Sequence, residues 1–184
     1  MEKYPLAQSD DGSFAEAPPT ILLVDDDIEL RRAMRDFLQA SGCKVLEARN
    51  SYDGLFLCAQ YGSEIDLLIT EIDMLPVSGI KLAENVLRLW PQIQVLCMSE
   101  SHEPKGVHYW MNYLGAEFLR KPFSPFDLHE KVYAQLQQRY RDAPMGVFDV
   151  PTGSFEAPAI PPGAAMGQGR SNNVQDPMFW LKEF

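Results

Sequence analysis

The chain has 184 residues, 46% of them hydrophobic and 23% charged, which is enough for one well-cored domain with tails and too little for two full domains. A formal net charge of -10 disfavours nucleic-acid and anionic-membrane partners, which call for a basic surface. Cys43, Cys58 and Cys97 have neither paired nor metal-ligand spacing and read as buried thiols; with no secretory pattern after Met1-Glu2-Lys3 and no run of roughly 18 apolar residues, a cytoplasmic, non-membrane protein is expected.

Residues 1–19 carry Ser9, Asp10, Asp11, Gly12, Pro18 and Pro19 without periodicity and read as a flexible N-terminal tail. From residue 20 to 141, short apolar runs alternate with longer helical patterns, the signature of βα units around a parallel sheet. Ile21-Leu22-Leu23-Val24 predicts the first strand, and Asp25-Asp26-Asp27 stands at its carboxyl end. A helix over 28–40 follows, with Leu30, Met34, Phe37 and Leu38 on one buried face and Arg31, Arg32, Arg35 and Asp36 toward water. Asp27 alone reads as the cap of that helix. Lys44 to Ala48 predicts strand two. Residues 52–60 predict helix two, anchored by Leu55, Leu57 and Cys58 and ended by Gly62.

Ile65 to Thr70 predicts strand three, with Glu71 and Asp73 at its end. Pro76, Ser78 and Gly79 mark a loop, Ile80 to Trp90 a third helix, and Ile93 to Met98 strand four, ending at Ser99. Residues 105–114 predict helix four, and Glu117-Phe118-Leu119 a short strand five ended by Lys121-Pro122. Pro125 opens a last helix running to about Arg141. The remainder, 142–184, reads as a Pro/Gly-rich tail with a terminal aromatic segment; six prolines and five glycines fall within 143–184. The expected fold is an α/β doubly wound five-stranded parallel sheet of (βα)5 form.

In such sheets ligands bind outside the carboxyl ends of the strands. Asp25, Asp26, Glu71, Asp73, Ser99 and Lys121 all fall there. Carboxylates crowded into one crevice repel one another at neutral pH unless a cation joins them. A hard divalent ion such as magnesium or the Lys121 ammonium would serve, and Ser99 with Lys121 would suit phosphoryl oxygens.

Over about 120 positions these residues resemble the receiver domain of two-component response regulators, a flavodoxin-like fold. Val24-Asp25-Asp26 looks like the family's acid pair, Pro76 to Gly79 like its turn after strand three, Ser99 like its Ser/Thr, Phe118 like its aromatic switch and Lys121-Pro122-Phe123 like its Lys-Pro-Phe signature. The resemblance implies magnesium held by Asp25, Asp26, the residue at 71 and the carbonyl of Asp73. It further implies a phosphoryl group accepted at 71 from a histidine kinase and contacted by Ser99 and Lys121. Helix four, strand five and helix five would form an output or homodimer surface.

Glu71 departs from the pattern, since the family has aspartate there. The extra methylene displaces the carboxylate by about 1.5 Å, enough to impair in-line transfer. Glu100 stands where the family has a small residue, and Pro76 comes one position late. A glutamate also projects charge toward Ser99 and Lys121, partly imitating a phosphorylated aspartate. The expected function is therefore a stand-alone atypical receiver that is not an enzyme and works as an interaction module with kinases or downstream effectors. Trp110, Tyr113 and Pro122 are expected contact residues, and Phe179 and Trp180 in the tail are expected to dock on a groove. Two alternatives are a receiver with an unusual acceptor, such as Asp73, and a magnesium phosphohydrolase. The second rests on Asp25-x-Asp27, which resembles the nucleophile motif of the haloacid-dehalogenase family.

Overall fold

The computed structural model describes residues 17–100 and 107–142. Strands β1 (Thr20–Val24), β2 (Lys44–Ala48), β3 (Leu67–Glu71), β4 (Gln94–Ser99) and β5 (Glu117–Arg120) form one parallel sheet in the order β2-β1-β3-β4-β5. Helices α1 (Ile28–Ala40), α2 (Ser51–Tyr61), α3 (Gly79–Leu89), α4 (Val107–Leu114) and α5 (Pro125–Asp142) connect and flank it. This is the doubly wound, flavodoxin-like arrangement expected from the alternation of apolar runs and amphipathic stretches.

Both faces of the sheet are covered, so the central strands are apolar at nearly every position. Ile21, Leu23, Leu67, Ile69, Leu96 and Met98 point to one side and pack with Met34 and Leu38 of α1 and with Leu128, Val132 and Leu136 of α5. On the other side Val24 touches Gly54 of α2, where a Cβ would lie 3.1 Å from Val24 and 3.3 Å from Leu82 of α3. All three cysteines are buried, Cys43 within that cluster, and burial pushes each thiol up to about 12.

Polar caps decide where the helices start. The side chains of Asp27, Asn50 and Ser78 accept backbone N–H groups at the openings of α1, α2 and α3. Gly62 follows α2 as expected, but with right-handed backbone angles rather than a left-handed cap. Its lack of a side chain is needed for packing, since a Cβ there would come within 2.4 Å of the Trp90 ring. Strand three begins at Leu67 rather than Ile65, although Ile65 is fully buried, and just before it the Asp66 carboxylate accepts the Thr20 N–H at 2.9 Å. Among the described residues no helix is long and apolar enough to cross a membrane. The two predicted tails lie almost wholly outside the described residues.

Candidate functional site

Parallel register sets the site. Val24 lies beside Thr70, Glu71 beside Met98 and Ser99 beside Arg120, so Asp25, Glu71, Ser99 and Lys121 reach one edge of the sheet together. A cleft of about 370 Å3 opens there, lined by Asp26, Asp27, Glu71, Asp73, Glu100 and Lys121.

Asp25 is fully buried and uses both oxygens: Oδ1 accepts the Asp27 N–H at 2.8 Å and Oδ2 accepts Lys121 Nζ at 2.8 Å. Glu71 is also buried, and its Oε2 makes ion-pair contact with the same Nζ, though not with the geometry of an ordinary hydrogen bond. Its Oε1 accepts the Asp73 N–H at 2.9 Å. One cation therefore serves two buried carboxylates. Burial alone would lower the Lys121 pKa, but its hydrogen bond to Asp25 and the negative charges of Asp25 and Glu71 outweigh it and raise the pKa above its ordinary value.

The other acids divide by task. Asp27 Oδ1 accepts the N–H groups of Glu29 and Leu30 at 2.9 and 3.1 Å; the Leu30 and Glu29 donors hold its carboxyl below the usual range. It is spent on the α1 terminus, as its position before an apolar-periodic run indicates. Asp26 and Glu100 are exposed at the mouth. Asp73 is exposed beyond the end of β3 and its Oδ2 accepts the hydroxyl of fully buried Ser99 at 2.7 Å. This corrects the expectation that Glu71 projects toward both Ser99 and Lys121. Both Glu71 oxygens are engaged by Lys121 and the Asp73 N–H, and the Ser99 hydroxyl turns to Asp73.

Arg31 also departs from its expected place in water. Its guanidinium hydrogen-bonds the Asp25 carbonyl oxygen and pairs with Glu47 of β2 at 3.5 Å, so it is half-buried behind the acid pair. An arginine one turn into the helix that follows an acid run, with a glutamate in a neighbouring edge strand, is the signal that could have found it. Gly79, expected only as a marker of the loop after strand three, has a further role. A Cβ at 79 would sit 1.8 Å from the Glu71 carbonyl oxygen and 2.6 Å from Thr70 Oγ1, so only glycine lets α3 start this close to the strand that carries Glu71.

Phe118 is half-buried on β5, beside Cys97 in the register. Trp110 is half-buried and meets Tyr109 and Tyr113 edge-on at 5.6 and 5.8 Å, while those tyrosines are 66% and 65% exposed. Pro122 is exposed and the Lys121-Pro122 bond is cis. Phe179 and Trp180 lie outside the described residues.

Of the magnesium set implied by the resemblance, Asp26, Glu71 and Asp73 line the cleft, and Asp25 is fully buried beside Lys121. Asp25 and Glu71 are turned onto the Lys121 ammonium, and among the described residues no three His, Cys, Asp or Glu side chains converge as a metal-binding group.

Residues 21–133 match the family model of the response regulator receiver domain. In sequence the chain is 28% identical over 118 residues to the uncharacterised transcriptional regulatory protein YrkP of Bacillus subtilis, covering 64% of this chain and 49% of that protein. It spans about half the length of the transcriptional regulators it matches. In structure it is similar to a response regulator receiver domain from Clostridium thermocellum, with a TM-score of 0.63 at 25% identity over 67% of this chain and 98% of the other. A similar fold, with a TM-score of 0.63 at 19% identity over 72% of this chain and 97% of the other, occurs in the CheX-CheY complex of Borrelia burgdorferi, which holds BeF3 and magnesium.

Proposed function

Because this chain belongs to the response regulator receiver family of two-component signalling, we propose that it is an atypical receiver, a pseudo-receiver whose cleft is set by Glu71 and which acts by binding other signalling proteins. One observation carries this reading. The carboxylate at the acceptor position is already buried in an ion pair with Lys121, and its second oxygen accepts a backbone N–H.

A carboxylate that attacks phosphorus must present a free lone pair in line with the leaving group. Here Lys121 would have to release Oε2, and the longer side chain has already carried that oxygen about 1.5 Å past the aspartate position. The charge that a phosphoryl group would bring to Lys121 is supplied by Glu71 itself. Magnesium binding, as in the Borrelia complex, would further require Asp25 and Glu71 to turn away from the lysine. The receiver is accordingly held in one state by its own sequence and catalyses no turnover. Its partners are histidine kinases or downstream effectors in the cytoplasm. They meet it at the exposed aromatic face of α4, and α4, β5 and α5 also offer a surface to a second copy.

Intact mass after incubation with magnesium and a small-molecule phosphodonor tests the reading. The expected spectrum is unmodified protein, and a stoichiometric adduct of about 80 Da would overturn it. A phosphatase assay on the same samples separates it from the phosphohydrolase alternative, with no turnover expected.

A further inference from the structure

Four contacts at the carboxyl edge of the sheet close into a ring. Lys121 Nζ pairs with Glu71 Oε2, and Glu71 Oε1 accepts the Asp73 N–H at 2.9 Å. Asp73 Oδ2 accepts the Ser99 hydroxyl at 2.7 Å, and the Ser99 carbonyl accepts the Lys121 N–H at 2.9 Å. The ring joins the ends of β3, β4 and β5, and Asp73 is its one exposed member.

We propose that Asp73 is a positioning residue, the built-in acceptor that takes the Ser99 hydroxyl and so latches the end of β4 to the turn after β3. The proposal deepens the reading of a phosphate-independent receiver and rests on it in one respect, that no phosphoryl group competes for Ser99. A hydroxyl has one proton to donate. In Ser99 that proton is committed to a carboxylate 26 residues away, across two strands, with a charge-assisted distance. Asp73 is itself placed by Glu71, because the oxygen that holds its N–H belongs to the side chain paired with Lys121. The glutamate therefore acts at both ends of the ring, neutralising the lysine directly and presenting the Ser99 acceptor through the main chain. In the chain α4 follows β4, so exchange in α4 reports whether loosening of the latched end spreads to the next element.

The test is amide hydrogen exchange on the full chain, followed in peptides covering β4 with Ser99 and covering α4. Asp73→Ala removes an exposed side chain outside any strand and is expected to fold, which far-UV circular dichroism checks. It should raise exchange at the end of β4 and in α4 by about tenfold, the size of effect expected for loss of a hydrogen bond to a charged group. Ser99→Ala should do the same, and the double variant should exceed neither single by more than about twofold, as for partners in one interaction. Asp73→Asn keeps an acceptor oxygen and should restore protection to within about threefold of the unsubstituted chain. Unchanged exchange in Asp73→Ala, additive effects in the double variant, or failure of Asp73→Asn to rescue would each overturn the latch. A phosphoryl adduct on the unsubstituted protein would overturn the proposed function instead, and the exchange of the unmodified chain would still decide the latch.

Discussion

The two ends of the sheet both tie strands together through an aspartate, and they do so with opposite charge balance. At the amino end Asp66 accepts the Thr20 N–H with Oδ2 and pairs with Arg139 of α5 through Oδ1 at 3.1 Å, while Arg139 also donates to the Gln92 carbonyl at 3.0 Å. That clasp joins one anion to one cation, each about a fifth exposed. At the carboxyl end Lys121 serves Asp25 and Glu71, both nearly or fully buried, and Asp26, Asp73 and Glu100 add further acids around the same cleft. A neutral, half-wet clasp reads as architecture. A cleft at the carboxyl ends of the strands is where a fold of this kind binds its ligands.

That contrast is sharpest if the lysine is removed. Lys121→Met is expected to destabilise the domain by about 3–5 kcal/mol, because it leaves buried carboxylates uncompensated. Part of the loss should return in Lys121→Met/Glu71→Leu, where one of those charges is gone too. Denaturant midpoints check both, and a single-variant loss of under about 1 kcal/mol would show that solvent reaches the carboxylates after all. The amino end should respond less. Asp66→Ala should cost about 2 kcal/mol, for one backbone donor left without its partner and one half-exposed ion pair lost, and equal losses at the two ends would break the comparison.

A smaller effect is expected in pH. The folded Lys121 pKa lies above its ordinary 10.5, so its contribution is fully present below that value and fades as pH rises through the folded pKa. The gap in midpoint between the unsubstituted protein and Lys121→Met should therefore stay constant from about pH 7 to 9.5 and narrow in more alkaline solution. A gap that already closes at neutral pH would mean that the lysine is not held as the ammonium.

Much of the fold is legible in the sequence because parallel strands buried on both faces are short apolar runs, and because Asp27 marks the start of α1 by its own chemistry. The start of β3 is less so. Ile65 is as buried as any strand residue, and burial alone does not show that the paired register begins at Leu67. At the site, topology brings the acids, Ser99 and Lys121 to one edge, and a reading of strand ends is enough to collect them. Which group bonds which is another matter. The Ser99 contact to Asp73 and the Arg31 contact to the Asp25 carbonyl depend on side-chain directions across loops, and neither periodicity nor spacing encodes those.

Gly79 carries a last consequence. Its missing Cβ lets α3 sit against the Glu71 carbonyl, so the frame around position 71 is held by backbone contact whatever side chain stands there. Glutamate and aspartate codons differ only in the third base. On the proposed reading, the distance between a site fixed by its own carboxylate and one shaped for a transferable group is thus, at the level of the gene, a single nucleotide.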